Sequence, residues 1–222
     1  IKTNSFSLAG FPNILSGNQN TGTALFLNNG LLAAGHGPAF NQVLDTDVLL
    51  VDTWYHIAVT YDSLTKVMQL YKNGSPAGIP ATGVLPDYIE TTQSIGSFSG
   101  QYFFPGKIDQ VRFWSTARTA AEILNSYNCS LSGDEPGLIA WYNFTNGISE
   151  ANNAGLTTLQ DFSDKCNPND GTLTGFTLNG STSNWVADSV TLTGACGATF
   201  PNINVTGNSI CIVDRDSIPS VA

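Results

Sequence analysis

A stretch of alternating side chains at residues 51–74 constrains the fold more than any other part of the chain. Its first half is rich in aromatic and β-branched residues, which suit a pleated, half-buried strand. Ile57, Val59 and Tyr61 fall on one face of that strand, because successive side chains point to opposite faces. The stretch therefore predicts an extended element with one face in a core.

The second half of the stretch predicts a return strand. After a turn at residues 62–65, Met68 and Leu70 share one face of the second strand. The Asn73-Gly74 pair that follows is a strong hairpin signal, because both central residues of a type I′ turn need a positive φ. An Asn-Gly pair at residues 29–30 also lies between two apolar runs. These pairs predict antiparallel hairpins.

Short extended segments with frequent Gly and Asn turns recur along the rest of the chain. The predicted strands are residues 9–15, 24–28, 31–36, 44–51, 54–61, 67–71, 92–98, 107–115 and 137–144. Regular short strands of this kind favour a sandwich or jelly roll over alternating strands and helices. One helix is expected at residues 119–127, where Thr119 and Glu122 fit a capping box, with a simple turn as the alternative.

Charge and hydrophobicity exclude several classes of function. The chain has 222 residues, of which 41% are hydrophobic, so it can bury a core. Eight Lys and Arg against 17 acidic residues give a net charge of −9, which disfavours nucleic acids and anionic membrane surfaces. No apolar run reaches the roughly 18 residues that a membrane span needs. We therefore expect no nucleic-acid partner and no membrane insertion.

Four sequence blocks resemble one family of jelly rolls. They are Trp-Tyr-His-Ile-Ala-Val-Thr-Tyr-Asp at residues 54–62 with Leu-Tyr-Lys-Asn-Gly at 70–74, Phe-Pro-Gly-Lys-Ile-Asp-Gln-Val-Arg-Phe-Trp at 104–114, Gly-Leu-Ile-Ala-Trp-Tyr-Asn-Phe at 137–144, and Asp-Gly-Thr-Leu at 170–173. Together they resemble the laminin-G-like domains of the concanavalin A-like lectin/glucanase superfamily, although Gln110 replaces the usual Glu. The resemblance implies an all-β fold: a two-sheet antiparallel jelly-roll sandwich with one short helix.

A second resemblance begins after the fourth block. Phe-Pro-Asn-Ile-Asn-Val-Thr-Gly-Asn at residues 200–208, followed by Ile-Val-Asp-Arg-Asp-Ser-Ile-Pro-Ser at 212–220, resembles the start of the immunoglobulin-like modules called choice-of-anchor D. We therefore expect a laminin-G-like jelly roll over residues 1–187, and a linker with the first strand or strands of a following module over residues 188–222.

The beginning of the chain also fits a segment of a multidomain bacterial surface protein. In the family a strand precedes the point that matches Ile1, so we expect the first strand to be truncated. A mature N-terminus left by processing is the alternative.

Four cysteines allow three disulfide connectivities. None forms a Cys-x-x-Cys pair, so the usual spacing of zinc ligands is absent. We expect Cys129–Cys166 and Cys196–Cys211, because each pair lies within one presumed unit, with four buried free thiols as the alternative. An even number of cysteines together with few charged residues fits an extracellular or cell-surface location.

Glycoside hydrolysis is not expected of this chain. It needs two carboxyl groups that face each other across the scissile bond, about 5–10 Å apart. The chain has four glutamates, at positions 90, 122, 135 and 150, and none has an acidic partner on the same predicted strand face. His56 is expected to be a structural, hydrogen-bonding side chain in its strand. We therefore predict a domain that is not an enzyme.

The resemblance implies a structural calcium site. Related jelly rolls use an Asp from the strand that matches residues 108–111, so Asp109 is one candidate ligand. Asp161 is the second, at the position of the Asp that opens a turn in the family. Calcium takes about six to eight oxygen ligands. The alternatives are that Asp109 caps a turn or pairs with Arg112, and that residues 161–170 form a solvated loop.

The function that the resemblance implies is recognition. The domain is expected to be a non-catalytic adhesion module of a large secreted or cell-surface protein, binding glycans or surface proteins, with the host's secretion machinery as a further candidate partner. Aromatic residues near turns are candidate ligand contacts, namely Phe40, Tyr88, Tyr102 and Phe103. The alternatives are an accessory carbohydrate-binding domain of a secreted hydrolase and a structural spacer.

Overall fold

The computed structural model describes residues 1–6, 10–17, 23–36, 43–83, 92–163 and 168–196. The chain divides into two compact units. The first comprises Ile1–Asp109, Thr116–Asn128 and Val190–Leu192, and the second comprises Gln110–Ser115, Cys129–Ser189 and Thr193–Ala222.

Short strands dominate both units. Those of the first unit are β1 (Lys2–Thr3), β2 (Asn13–Ser16), β3 (Thr23–Asn28), β4 (Leu31–His36), β5 (Val43–Val48), β6 (Ile57–Asp62), β7 (Val67–Lys72), β8 (Ser75–Ala81), β9 (Ser94–Ile95) and β10 (Gly106–Lys107). Those of the second are β11 (Val111–Trp114), β12 (Leu138–Tyr142), β13 (Thr158–Leu159) and β14 (Gly171–Thr172). The helix α1 (Ala120–Ser126) belongs to the first unit, and a 3₁₀ turn (Gly180–Thr182) to the second.

A five-stranded antiparallel sheet in the first unit has the order β5-β4-β3-β2-β9. The predicted hairpin between β3 and β4 is confirmed, because Asn29 and Gly30 have φ of 52° and 82°. Leu25 and Leu27 point into the core, whereas Phe26 lies on the opposite face with Ala24.

A three-stranded antiparallel sheet, β6-β7-β8, contains the two alternating strands predicted within residues 51–74. Its second hairpin is also as predicted, since Asn73 and Gly74 have φ of 49° and 80°. Met68 and Leu70 on β7 are fully buried, as their alternation requires. A β-branched and aromatic sequence thus becomes a pleated strand pair with one face in the core.

The two sheets of the first unit share one hydrophobic core. Leu27 and Leu32 from the larger sheet and Met68 and Leu70 from the smaller one belong to the same cluster of buried side chains. Each such side chain contributes about 1.5–3 kcal/mol through burial. The predicted antiparallel sandwich is therefore confirmed, and its one helix begins as predicted: the Thr119 hydroxyl accepts from the Glu122 amide, and the Glu122 carboxylate accepts from the Thr119 amide.

The predicted single strand at residues 107–115 is wrong, because it divides into β10 and β11. Gln110 lies between them with φ of 55°, a left-handed conformation that interrupts the pleat. The strand predicted at residues 9–15 is observed as β2 at residues 13–16, and the one at 92–98 shortens to β9. Residues 7–9 lie outside the described part of the chain.

The second unit is held by a small apolar cluster and a disulfide. Leu131, Leu138 and Trp141 form the cluster. The disulfide joins Cys129 to Cys196, so the predicted pairs Cys129–Cys166 and Cys196–Cys211 are wrong. The Ser130 amide donates to the Gly194 carbonyl, and the Cys196 amide donates to Ser130, which brings the two thiols together. Cys166 and Cys211 lie outside the described residues.

The domain boundary after residue 187 stays a prediction. The described residues just beyond it are bonded to the rest of the chain: the Val190 amide donates to Asp109, and the 193–196 segment carries the disulfide. The choice-of-anchor D resemblance falls on residues 200–220, outside the described part of the chain. Among the described helices, none combines the length and hydropathy needed to cross a membrane.

Candidate functional site

Asp109 lies in the first unit, between β10 and β11 in sequence and separated from β10 by Ile108. Its Oδ2 accepts a hydrogen bond of 3.1 Å from the Val190 amide. The side chain therefore ties a distant segment to the end of the strand. Arg112, its predicted alternative partner, belongs to the second unit and donates to the Cys129 carbonyl at 2.6 Å.

Asp161 organises a turn in the second unit. It is only 5% exposed, and its Oδ1 accepts from the amides of Trp141 at 2.9 Å and Ser163 at 2.8 Å. Its Oδ2 accepts from the Asn169 amide at 2.9 Å. Burial alone would raise the pKa of Asp161, but the three backbone donors stabilise the ionised form and hold its pKa below the ordinary value.

Backbone amides satisfy the Asp161 carboxylate in this structure. Both of its oxygens accept backbone hydrogen bonds. In the described part of the chain, no group of three His, Cys, Asp or Glu side chains is placed to hold a metal ion. The solvated-loop alternative does not describe Asp161, because its side chain is buried and fully used by the turn. Calcium stays a prediction to be tested.

Other described carboxylates also serve local backbone structure. Glu122 completes the cap of α1, and Glu135, which is 8% exposed, accepts from the amides of Ser132 and Gly133. Asp62 accepts from the amides in the turn that follows it. Each of these three carboxylates therefore accepts hydrogen bonds that support local structure.

The hydrogen-bonding role expected of the His56 side chain stays a prediction, while its backbone and ring make contacts immediately before β6. Its backbone amide donates to the Asn73 side chain at 3.0 Å. Its ring meets Tyr127 edge to face, with centroids 5.7 Å apart. The contact joins the start of the central hairpin to the residue that ends α1.

Three exposed aromatic side chains, which we call the aromatic rim, lie in the first unit. Phe11, Tyr102 and Phe103 are 53%, 46% and 62% exposed. Large rings left in solvent differ from the core aromatics, because their apolar faces are available to a ligand.

A tight turn fixes two rings of the aromatic rim. Phe98 and Gln101 exchange backbone hydrogen bonds of 2.9 and 2.8 Å around Ser99 and Gly100, whose φ values are 51° and 68°. Positive φ at both central residues is the type I′ arrangement, which closes a two-residue hairpin. The turn delivers Tyr102 and Phe103 next to the edge of the five-stranded sheet.

Asn13 connects the turn to the third ring. Its amide donates to the Tyr102 carbonyl at 2.9 Å, and its side chain donates to the Phe11 carbonyl at 2.6 Å. The Phe11 ring meets the buried Phe26 edge to face, with centroids 5.6 Å apart. Asn13 also forms a parallel bridge with Phe103. The backbone of all three rim residues is therefore joined to Asn13 on β2.

A shallow cleft lies beside the aromatic rim, and we call it the rim cleft. Its lining residues are Ser5, Phe6, Gly10, Pro12, Leu27, Asn29 and Gly30. Gly10 and Pro12 flank Phe11, and a Cβ on Gly10 would lie 2.7 Å from the Tyr102 ring, so glycine permits that ring to pack on the backbone. The cleft and the rim therefore form one continuous surface.

The sequence identified only part of this surface. Tyr102 and Phe103 were only candidate ligand contacts and remain so, whereas Phe40 and Tyr88 lie outside the described residues. Phe11 was missed, because a single aromatic beside Pro12 carries no periodic signal. Its exposure depends on Asn13 and Phe26, which come together only through the sheet.

Comparison with known families assigns the chain to a superfamily. Residues 2–124, more than half of the chain, match a laminin-G family model described as the concanavalin A-like lectin/glucanases superfamily. The chain belongs to this superfamily. The matched residues include the rim, the rim cleft and Asp109, whereas Asp161 lies beyond them.

Solved structures support the superfamily fold. A candidate carbohydrate-binding protein from Bacteroides ovatus ATCC 8483 is 22% identical, with a TM-score of 0.59 over 72% of this chain and 47% of that one. The chain thus spans about half the length of that structure. An S-layer domain-containing protein (residues 221–444) from Clostridium thermocellum ATCC 27405 is 23% identical over 53% of this chain and 63% of that one. Its TM-score of 0.26 is too low to bear on the fold. Curated protein sequences yield no match.

Proposed function

We propose that this chain is a non-catalytic recognition module of a larger secreted or cell-surface protein, and that it binds glycans at the aromatic rim. The observation that carries the proposal is the set of three exposed rings held on one strand beside a cleft. Membership in a superfamily of lectins and glucanases supports it, as does the carbohydrate-binding description of the Bacteroides ovatus neighbour.

The chemistry of the surface suits sugars. One face of a pyranose ring carries C–H groups that pack on an aromatic face, while its hydroxyls need donors and acceptors. Ring faces at Phe11, Tyr102 and Phe103 would supply the first contact, and the amides of Asn29 and Gln101 the second. Because hydrogen bonds already hold the backbone that carries the rings, little backbone entropy would be lost on binding.

Binding without cleavage is favoured by the use of the carboxylates. Glycosidases place two carboxyl groups across the bond, one of them free to protonate the leaving group. The surface formed by the rim and rim cleft contains no Asp or Glu among its described lining residues. A sugar stacked on the rim would therefore contact no acid and base from that described lining.

An extracellular setting supports this function. The Cys129–Cys196 disulfide belongs to proteins that fold in an oxidising compartment. Weak contacts to glycans or surface proteins would be strengthened by repetition of such modules in one polypeptide. Structural calcium and contact with the host's secretion machinery remain further proposals that await their own tests.

A glycan array probed with the folded 222-residue chain tests the proposal. We expect binding that Phe11→Ala and Phe103→Ala each weaken by about tenfold, because exposed anchoring aromatics dominate such contacts. Leu64→Ala, which truncates a side chain that is 90% exposed on another turn, is the matched control and should bind like wild type. The melting temperature of each variant is also measured. A value equal to that of wild type shows that the variant is folded and that weaker binding does not come from unfolding. Absence of binding to every glycan by the folded chain would refute the proposal.

A further inference from the structure

We propose, resting on the glycan-binding function above, that the rim and rim cleft select uncharged glycans and reject chains that carry carboxylate or sulfate groups. The inference depends on the charges around the surface rather than on its rings, because stacking on aromatic faces does not distinguish neutral from acidic sugars.

Among the residues that the structure describes, the rim and rim cleft offer no cation. The residues that form it are Ser5, Phe6, Gly10, Phe11, Pro12, Leu27, Asn29, Gly30, Gln101, Tyr102 and Phe103, all of them uncharged. Recognition of a carboxylate or sulfate normally uses Arg or Lys, which supply charge-assisted hydrogen bonds. The amides of Asn29 and Gln101 match hydroxyl groups, which both donate and accept.

Two acidic residues flank the segment that packs against the rim cleft. The Leu49 amide donates to the Gly30 carbonyl at 3.1 Å, and a Cβ on Gly30 would lie 3.0 Å from Val48, so the segment after β5 packs against the cleft. Asp47 and Asp52 flank that segment, and the Asp47 side chain is 78% exposed. Fixed charges repel a like-charged ligand over about one Debye length, which shortens as salt is added.

No basic residue of this part of the chain is among the described lining residues of the rim cleft. Residues 1–109 contain four Lys and no Arg. Lys72 is held by the buried Asp45 and lies 3.6 Å from Asp47, and Lys66 lies in the turn between β6 and β7. Lys2 and Lys107 are partners across β1 and β10. An acidic sugar in the rim cleft would therefore find no lysine in the described lining, whereas Asp47 and Asp52 flank the segment that packs against it.

Matched pairs of oligosaccharides test the inference, each pair differing only at C6. Mannohexaose is compared with the mannuronate hexamer of the same β-1,4 linkage, and cellohexaose with its C6-carboxylate form, by calorimetric titration of the full chain at low and high salt. We expect the acidic member of a bound pair to bind at least about tenfold more weakly at low salt, with the difference shrinking as salt screens the repulsion. Binding of the neutral member should not depend on salt.

A double variant, Asp47→Asn with Asp52→Asn, tests the cause. Asp52 has φ of 55°, which Asn also tolerates, so the backbone is preserved. The double variant should bind the acidic sugar more tightly than wild type does, so the difference in affinity between the two members of a pair becomes smaller. Its affinity for the neutral sugar should stay unchanged. Equal or tighter binding of the acidic member would overturn charge selection while leaving glycan binding intact. If a neutral member binds but Phe11→Ala does not weaken it, the rim is not the site. If the folded chain binds no member of any pair in either salt, the glycan-binding function fails as well.

Discussion

Replacing Asp161 by Asn removes the charge from a carboxylate that organises the second unit. The wild-type side chain, 5% exposed, accepts from three backbone amides, two at Oδ1 and one at Oδ2. An Asn in the same place keeps one acceptor oxygen and turns an NH₂ group toward the third amide. The change is nearly isosteric, so its effect comes from hydrogen bonding and charge rather than from a cavity.

The magnitude follows from the bonds that are lost. With the carbonyl at the Oδ1 position, the Asn169 amide loses a charge-assisted bond and faces another donor. Such a bond contributes about 1.5–3 kcal/mol, and an unsatisfied buried amide costs about 1–3 kcal/mol. We expect a loss of about 3 kcal/mol, which lowers the melting temperature of a chain of this size by about 6–12 °C.

The effect depends on pH with a defined sign. Because the folded pKa of Asp161 lies below the ordinary value, its stabilisation is complete above the unfolded pKa of about 3.9 and disappears as the pH falls through the lowered folded value. The Asn side chain does not titrate. The difference in unfolding free energy between wild type and variant should therefore be constant near neutrality and disappear as the pH falls below about 4.

The assay is thermal and urea unfolding of both proteins across this pH range, in excess calcium and in EDTA. Asp134→Asn is the matched control, since Asp134 is exposed in the same unit and accepts from the Ser132 hydroxyl. Asp134→Asn should lower the free energy of unfolding by less than about 0.5 kcal/mol. A loss at Asp161→Asn of under about 1 kcal/mol would refute the backbone role. A loss seen only with calcium present would instead make Asp161 a metal ligand.

Two further substitutions test the packing of the second unit. Gly147→Ala should lower the free energy of unfolding by about 1–3 kcal/mol or more, because the added Cβ would lie 2.1 Å from the Trp185 ring nitrogen. Gly155→Ala is the control, since its added Cβ would have no atom within 4 Å. Equal stability of the two variants in chemical unfolding would contradict the contact. Peptide mapping without reduction should recover Cys129 joined to Cys196, and Cys129→Ser should lower stability by up to about 4 kcal/mol, since the disulfide closes a loop with a sequence separation of 67 residues. Recovery of Cys129 joined to Cys166 would refute this pairing.

Local signals in the sequence predicted the parts of the fold that depend on local chemistry. The Asn29-Gly30 and Asn73-Gly74 turns form because both residues of each pair adopt positive φ. The capping box at Thr119 satisfies amides within four residues, so it can be read without knowledge of the rest of the fold. Alternation alone also identified Met68 and Leu70 as core residues.

Features that depend on distant partners could not be predicted in this way. Cys129 pairs with Cys196 because the Ser130 segment bonds to the Gly194 segment, a contact across more than sixty positions of sequence that no local pattern records. The break at Gln110 has the same cause, since its side chain accepts from the Trp141 indole at 2.9 Å and its backbone is left-handed. The Phe11 side chain joins the rim only through Asn13 and Phe26.

The most direct test of recognition without cleavage measures both on one sample. Insoluble polysaccharides are incubated with the wild-type chain and with a Phe11→Ala, Phe103→Ala double variant, and the pellet is assayed for protein while the supernatant is assayed for new reducing ends. We predict that wild type sediments with at least one neutral polysaccharide, that the double variant stays in solution, and that reducing ends do not exceed the no-protein control. Release of reducing ends by wild type, or undiminished sedimentation of the variant, would contradict the account.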